Sequence, residues 1–347
     1  MAINVLVVDD SALIRRLLSD IIQRTPGLTL AGTAPDAYAA RTMVIELAPD
    51  VITLDIEMPK VDGLRFLEVL MQARPTPVVM ISTLTELGAD ATLRALELGA
   101  IDFVPKPRLD IAKGIEEYES IIVSKIRAAA SSRLPRLRPQ AQKLPRTTYT
   151  GTEKIVAIGA STGGTEAIKC IIESLPANAP ATIITQHMPA GFTTSFAKRL
   201  DACSRVNVRE AQGNERLLPG TAYLAPGSQH LTIKRDGADY RTVLQDTPRV
   251  SGHKPSVDVM FESASKYAGH NAVGVLLTGM GKDGAKGLLS LHNQGAFTIC
   301  QDEASCVVFG MPRAAIALNA ASVILNISDI PPALLQHFEA VQAGSRL

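Results

Sequence analysis

The chain has 347 residues, with 35 basic and 34 acidic side chains and a formal net charge of +1. Apolar residues make up 46% and charged residues 20%, a composition that excludes wholesale disorder. The near-neutral total argues against a protein held to nucleic acid by electrostatics, and four scattered cysteines exclude a small disulfide scaffold.

At about 150 residues per domain, this length suggests two domains. Aromatics are 4% and Trp is absent, so aliphatic side chains must fill both cores. The opening residues enter an apolar run without a basic leader, and no stretch approaches the roughly 20 apolar residues of a membrane span. A cytoplasmic setting without membrane insertion is therefore expected. The charge is unevenly spread: residues 1–130 sum to −5, residues 131–152 to +5 and residues 153–347 to +1. The middle segment also holds Pro135, Pro139 and Pro145 and lacks an apolar period, so it reads as an exposed linker.

In chain order, Asn4–Val8 reads as a strand, and Ile14, Leu17, Leu18, Ile21 and Ile22 repeat at helical spacing. Val51–Leu54, Val78–Ile81 and Asp102–Val104 are further short strands separated by helix-length segments. Continuous apolar runs without alternation suit strands covered on both faces, hence a parallel sheet between helices. Asp9 and Asp10 follow the first strand, and Asp55 follows Val51–Leu54. Parallel strand ends meet at one rim, and carboxylates gathered there repel one another unless a hard cation such as Mg²⁺ neutralises them. Ser82 adds a hydroxyl at the next strand end, and Lys106 adds a fixed positive charge. A nucleophilic carboxylate, a cation site, a lysine and a hydroxyl are what a phosphoryl acceptor needs.

The segments Val5-Leu6-Val7-Val8-Asp9-Asp10-Ser11, Leu54-Asp55-Ile56-Glu57-Met58-Pro59, Asp62-Gly63 and Lys106-Pro107 resemble a two-component receiver domain. The resemblance implies a flavodoxin-like fold, phosphorylation of Asp55 by a histidine kinase, and Mg²⁺ at Asp10 and Asp55, with Asp9 beside them. It also implies Ser82 as switch hydroxyl and Lys106 as phosphate contact. Phe103 stands at the switch-aromatic position and equally suits a plain buried ring.

In the second domain Ile155–Ile158, Thr182–Thr185 and Val273–Leu277 are strand-like, while 205–250 is turn-rich and suggests hairpins. The first of these strands runs into Gly159-Ala160-Ser161-Thr162-Gly163-Gly164 and then a helical pattern. Strand, glycine-flanked turn and helix form the context that exposes a nucleophilic serine beside a helix N-terminus. A phosphate-cradling loop is the rival, but the spacing is not G-x-G-x-x-G. Among six histidines, His187 sits two positions after Ala181–Thr185 and reaches the Ser161 rim if the strands are parallel neighbours. His230, His253, His270, His292 and His337 read as surface or structural residues. Asp283, in the Gly-rich turn after Val273–Leu277, supplies a carboxylate to orient the imidazole; its bland reading is a helix cap. The order Ser161, His187, Asp283 differs from that of α/β-hydrolases. Cys300 and Cys306 read as buried thiols, and Cys170 and Cys203 lack a motif.

Ile158-Gly159-Ala160-Ser161-Thr162-Gly163-Gly164-Thr165-Glu166-Ala167, Gln186-His187-Met188-Pro189-Ala190-Gly191-Phe192 and Leu277-Thr278-Gly279-Met280-Gly281-Lys282-Asp283-Gly284 resemble the chemotaxis protein-glutamate methylesterases. Pro255-Ser256-Val257-Asp258 and Ala304-Ser305-Cys306-Val307-Val308-Phe309-Gly310-Met311-Pro312 add to the likeness. The expected architecture is two doubly wound parallel-sheet α/β domains: receiver 1–130, linker 131–152 and Rossmann-like methylesterase domain 153–347. The resemblance implies hydrolysis of glutamate γ-methyl esters and deamidation of glutamines on chemoreceptor cytoplasmic helices, with Met280 contributing to the oxyanion site and no cofactor in the esterase step. Its domain order suggests a receiver that covers the serine rim until Asp55 is phosphorylated.

Overall fold

The computed structural model describes residues 2–83, 85–106, 112–133 and 153–344. The chain divides into two compact units, Met1–Arg136 and Leu137–Leu347. Most of the expected linker (134–152), together with Pro107, lies outside the described residues.

The first unit runs β1 (Ile3–Val8), α1 (Ala12–Arg24), β2 (Leu28–Ala34), α2 (Ala37–Leu47), β3 (Val51–Asp55), α3 (Gly63–Ala73), β4 (Val78–Ser82), α4 (Glu86–Glu97), β5 (Asp102–Pro105) and α5 (Ala112–Ala130). Its sheet is parallel in the order β2-β1-β3-β4-β5. Every residue of β3 and β4 is buried, as strands covered on both faces require. Short polar side chains start the helices: Ser11 accepts from the Ile14 amide, Asp36 from Tyr38 and Ala39, and Asp62 from Arg65. The Asp62-Gly63 pair is thus a helix start. Strand β2 was not foreseen, because Leu-Thr-Leu-Ala-Gly-Thr-Ala mixes small residues into a half-buried edge.

The second unit runs β6 (Ile155–Ala160), α6 (Gly164–Ser174), β7 (Ala181–Gln186), α7 (Phe192–Cys203), β8 (Asn207–Glu210), β9 (Thr221–Leu224), β10 (His230–Asp236), β11 (Asp239–Gln245), α8 (Val257–Tyr267), β12 (Ala272–Leu276), α9 (Ala285–Asn293), β13 (Phe297–Gln301), α10 (Met311–Ala317), β14 (Val323–Leu325) and α11 (Ile330–Gly344). Seven parallel strands lie in the order β14-β13-β12-β6-β7-β9-β8, and β10–β11 form the hairpin expected in the turn-rich region. Both units are therefore doubly wound α/β sheets. The core beneath β6 and β12 packs Val257, Met260 and Phe261 of α8 against Leu276 and Leu288. Full burial of each such side chain contributes roughly 1.5–3 kcal/mol.

Chain order reverses beside β1 in the first sheet and beside β6 in the second. Ligands of open α/β sheets sit at the carboxyl ends of the strands flanking such a reversal. Those ends are β1 and β3 in the first unit, and β6 and β12 in the second. Asp9, Asp10 and Asp55 lie at the ends of β1 and β3, and Ser161 and Asp283 follow β6 and β12, while Ser82, Lys106 and His187 follow the neighbouring strands β4, β5 and β7.

Candidate active site

Pairing of β6 with β7 sets Ala160 opposite Gln186, and the His187 amide donates to the Ala160 carbonyl at 3.1 Å. On the other side, the Ser161 amide donates to the Thr278 carbonyl at 3.0 Å. Ser161, His187 and the turn after β12 thus share one rim. Gly163 adopts φ +76° at the N-cap of α6, and a Cβ there would lie 2.5 Å from Val307 Cβ, so the turn demands glycine. Gly279 lets the turn after β12 close on the serine, because a Cβ there would lie 2.8 Å from Ser161 Cβ. Met280, half-buried, follows directly.

Asp283 Oδ2 lies 2.7 Å from His187 Nε2, with the two side chains 0% and 7% exposed. Asp283 Oδ2 also accepts from the Val257 amide at 2.7 Å, and Oδ1 accepts from Ser256 Oγ at 2.8 Å and the Asp258 amide at 3.2 Å. The carboxylate therefore sits on the N-terminus of α8, where unpaired amides and the helix dipole favour negative charge. Burial alone pushes its pKa up. The bond and charge of His187, with the Val257 and Ser256 donors, outweigh burial and hold it well below the ordinary carboxylate range. Helix α9 is capped by Gly284 without a side-chain bond, so Asp283 does not cap the helix that follows it. With Nε2 committed to the carboxylate, Nδ1 is the remaining ring nitrogen, and it is buried without a hydrogen-bond partner. It is the atom available to take a proton. Gln186 Nε2 donates to the carbonyls of Ser161 (2.9 Å) and His187 (3.3 Å), tying the two strand ends together.

In the first unit Asp9 and Asp55 are buried and Asp10 is exposed, with oxygens of all three within 4.8 Å of one another. Arg15 Nη1 donates to the carbonyls of Asp9 and Asp10 at 2.8 and 2.9 Å, fixing the strand end. Lys106 Nζ lies 2.8 Å from Asp55 Oδ2 and 3.7 Å from Asp9 Oδ2. Burial raises the Asp55 pKa to about 6, helped by the charge of Asp9 and only partly opposed by Lys106 and the Glu57 amide. Asp9 Oδ2 is buried without a hydrogen-bond partner. An orphaned carboxylate oxygen inside an all-oxygen cluster fits a hard divalent cation such as Mg²⁺. Ser82 Oγ is engaged by α4: it accepts from Thr92 Oγ1 at 2.5 Å and donates to the Gly88 carbonyl at 3.2 Å. Phe103 is buried, with the Lys125 ammonium 5.3 Å from its ring centre and paired to Asp102.

Residues 156–334 match the CheB methylesterase family, and residues 5–116 match the response regulator receiver domain. The chain belongs to the CheB methylesterase family. It is 54% identical to the protein-glutamate methylesterase/protein-glutamine glutaminase of Methylobacillus flagellatus, over 98% of each chain. It is 55% identical to protein-glutamate methylesterase/protein-glutamine glutaminase 2 of Pseudomonas aeruginosa, over the full length of both. The crystal structure of the Thermotoga maritima CheB methylesterase catalytic domain is 39% identical, with a TM-score of 0.52, covering 53% of this chain and 97% of that one.

Within this family member, two histidines read from sequence as surface or structural residues belong to the surroundings of the site. His230 is fully buried; its Nδ1 accepts from the Ser256 amide at 3.0 Å while Nε2 faces the Pro248 carbonyl at 3.1 Å. His253 stacks on His187, with ring centroids 3.7 Å apart and planes 10° from parallel. Ser256, in the Pro255–Asp258 segment, holds the orienting carboxylate through its hydroxyl. For His253 and Ser256 the signal lay in the short span 253–258, where polar side chains run up to a helix start, whereas His230 sits at the start of β10 with no comparable signal. The cysteines carry no such role: Cys170, Cys300 and Cys306 are buried, and burial pushes the Cys300 thiol up to about 12. Among the described residues no helix is long and apolar enough to cross a membrane.

Proposed function

We propose that this chain is a phosphorylation-controlled serine hydrolase that removes methyl groups from glutamate γ-esters, and deamidates glutamines, on chemoreceptor cytoplasmic helices. The observation that carries the reading is the buried His187–Asp283 pair beside Ser161, with the second ring nitrogen unengaged. The relatives' names supply the substrate class.

Ser161 Oγ attacks the γ-carbonyl carbon of the side chain as its proton passes to His187 Nδ1. The imidazolium formed is stabilised by Asp283, a permanent anion at any physiological pH. Charge developing on the carbonyl oxygen faces the N-terminus of α6 and the turn holding Met280, where backbone amides suit an oxyanion. Collapse breaks the C–O bond, and methanol leaves with the proton from His187; for glutamine the C–N bond breaks and ammonia leaves. Water, deprotonated by His187, then cleaves the ester on Ser161 to give glutamate and free serine.

In the receiver unit, Asp55 takes the phosphoryl group from a histidine kinase of the chemotaxis system, and Lys106 holds the added charge. Asp9, Asp10 and Asp55 would hold the Mg²⁺ that screens the incoming phosphate. Ser82 and Phe103 respond to the modified aspartate, and Phe103 also serves as core. The setting is the cytoplasm.

Methanol release from methylated chemoreceptor membranes tests this reading. Ser161→Ala should reduce release by at least a thousandfold, with phosphoryl uptake at Asp55 unchanged. Release at the parental rate would overturn the serine mechanism.

A further inference from the structure

One segment grips both partners of the proton relay. Val250 and His253 exchange two backbone hydrogen bonds, at 3.0 and 2.9 Å, across Ser251 (φ +53°) and Gly252 (φ +83°). Positive φ at both central residues makes a tight turn of the type-I′ kind, which fixes the direction of its flanking side chains. That turn delivers His253 to the face of His187. Three residues later Ser256, Val257 and Asp258 deliver their donors to Asp283. His230 anchors the span by accepting from the Ser256 amide.

The bond from His187 Nε2 to Asp283 holds the imidazole by one edge only. It leaves the ring free to tilt about that contact, and the Nδ1 lone pair lies in the ring plane. A tilt therefore swings the lone pair away from the serine without breaking the bond to Asp283. A second flat ring at 3.7 Å, 10° from parallel, removes that freedom. The ring face also offers electron density to the imidazolium that forms as Ser161 loses its proton, an attraction absent while His187 is neutral.

Resting on the serine mechanism above, we propose that His253 is a positioning residue for the esterase reaction, acting through the face of His187 rather than on substrate. An aromatic stack of this kind corresponds to about a tenfold effect. Its need is for a flat ring and not for a second proton carrier.

The test uses the full chain with methylated chemoreceptor membranes, with rates expressed per competent site by titration with a serine-directed phosphonofluoridate. His253→Ala should lower kcat about tenfold, leave KM within about twofold and slow phosphonylation of Ser161 by the same factor as kcat. A merely structural residue would reduce the number of titratable sites and leave kcat per site unchanged. His253→Phe, which keeps a flat ring, should return kcat to within about threefold of the parent. The assignment is overturned by an unchanged kcat per site, by a loss carried in KM, or by a phenylalanine variant as slow as the alanine one. Ser161→Ala in parallel separates the two claims: residual release there would remove the serine mechanism itself, whatever the His253 variants do.

Discussion

Asp55 and Asp283 both end up buried at the rim of a parallel sheet, and their surroundings drive them in opposite directions. Asp283 meets four donors: an imidazole, a hydroxyl and two helix-start amides. Asp55 meets one ammonium and one amide, beside the carboxylate of Asp9. Burial raises the pKa of both, so the donor count decides the outcome. The first becomes a permanent anion, suited to orienting a base and stabilising its charged form. The second stays reactive and short of compensation, suited to a group that must take up a cation and be modified.

The contrast is broken most strongly at Asp283. Asp283→Asn keeps the shape, but its amide NH₂ must face a donor, and the negative charge that favours the imidazolium is gone. By analogy with triads of this kind, kcat should fall about 10³- to 10⁴-fold while the fold persists. Methanol release with circular dichroism checks this, and a loss below about tenfold would show that the carboxylate charge is dispensable.

The next effect appears in the stability of the first unit. Asp55 has a native pKa near 6 against 3.8 unfolded, so the native state binds its proton more tightly. The resulting stability is present below pH 3.8 and is lost as pH rises through about 6. In metal-free protein, Asp55→Asn should remove that decline and stabilise the unit at pH 7 by on the order of 2 kcal/mol, roughly thirtyfold in the unfolding equilibrium. Native-state hydrogen exchange on β3 and β4 measures it. The same variant should take up no phosphoryl group from a small acyl phosphate donor. A variant no more stable than the parent at pH 7 would mean that Lys106 already compensates Asp55.

Sequence reading reached the strand-end residues because parallel strands carry their termini to a common rim, whatever the side-chain details. Ser161 after β6, His187 after β7 and Asp283 after β12 follow from that rule plus glycine-rich turns. It reached the acidic cluster of the first unit for the same reason. It did not reach His253, Ser256 or His230, whose contributions depend on a tight turn folding back across strands distant in the chain. Nor did it find the Ser82–Thr92 bond, since a hydroxyl's partner is set by tertiary packing. Strand β13 was missed as well: Phe-Thr-Ile-Cys-Gln is nearly all buried, but Thr and Gln interrupt its apolar residues, so it carries no continuous apolar run like those of the strands that were read.

The mildest test removes one donor from Asp283. Ser256→Ala deletes the hydroxyl that donates to Oδ1 at 2.8 Å and that also caps α8 by accepting from the Val259 amide. Losing a buried bond to a charged group together with a helix cap costs about 1–2 kcal/mol. Asp283 then has three donors, which moves it one step toward the condition of Asp55, and its pKa rises from the lowered native value. A lowered native pKa gives stability that is present above pH 3.8 and lost as pH falls through the native value. In the variant that acid-linked loss should therefore be smaller and complete at higher pH, and kcat should drop up to about tenfold with KM unchanged. Parallel acid-unfolding curves for parent and variant would contradict the donor-count account, because they would mean that His187 and the α8 amides alone hold the carboxylate ionised.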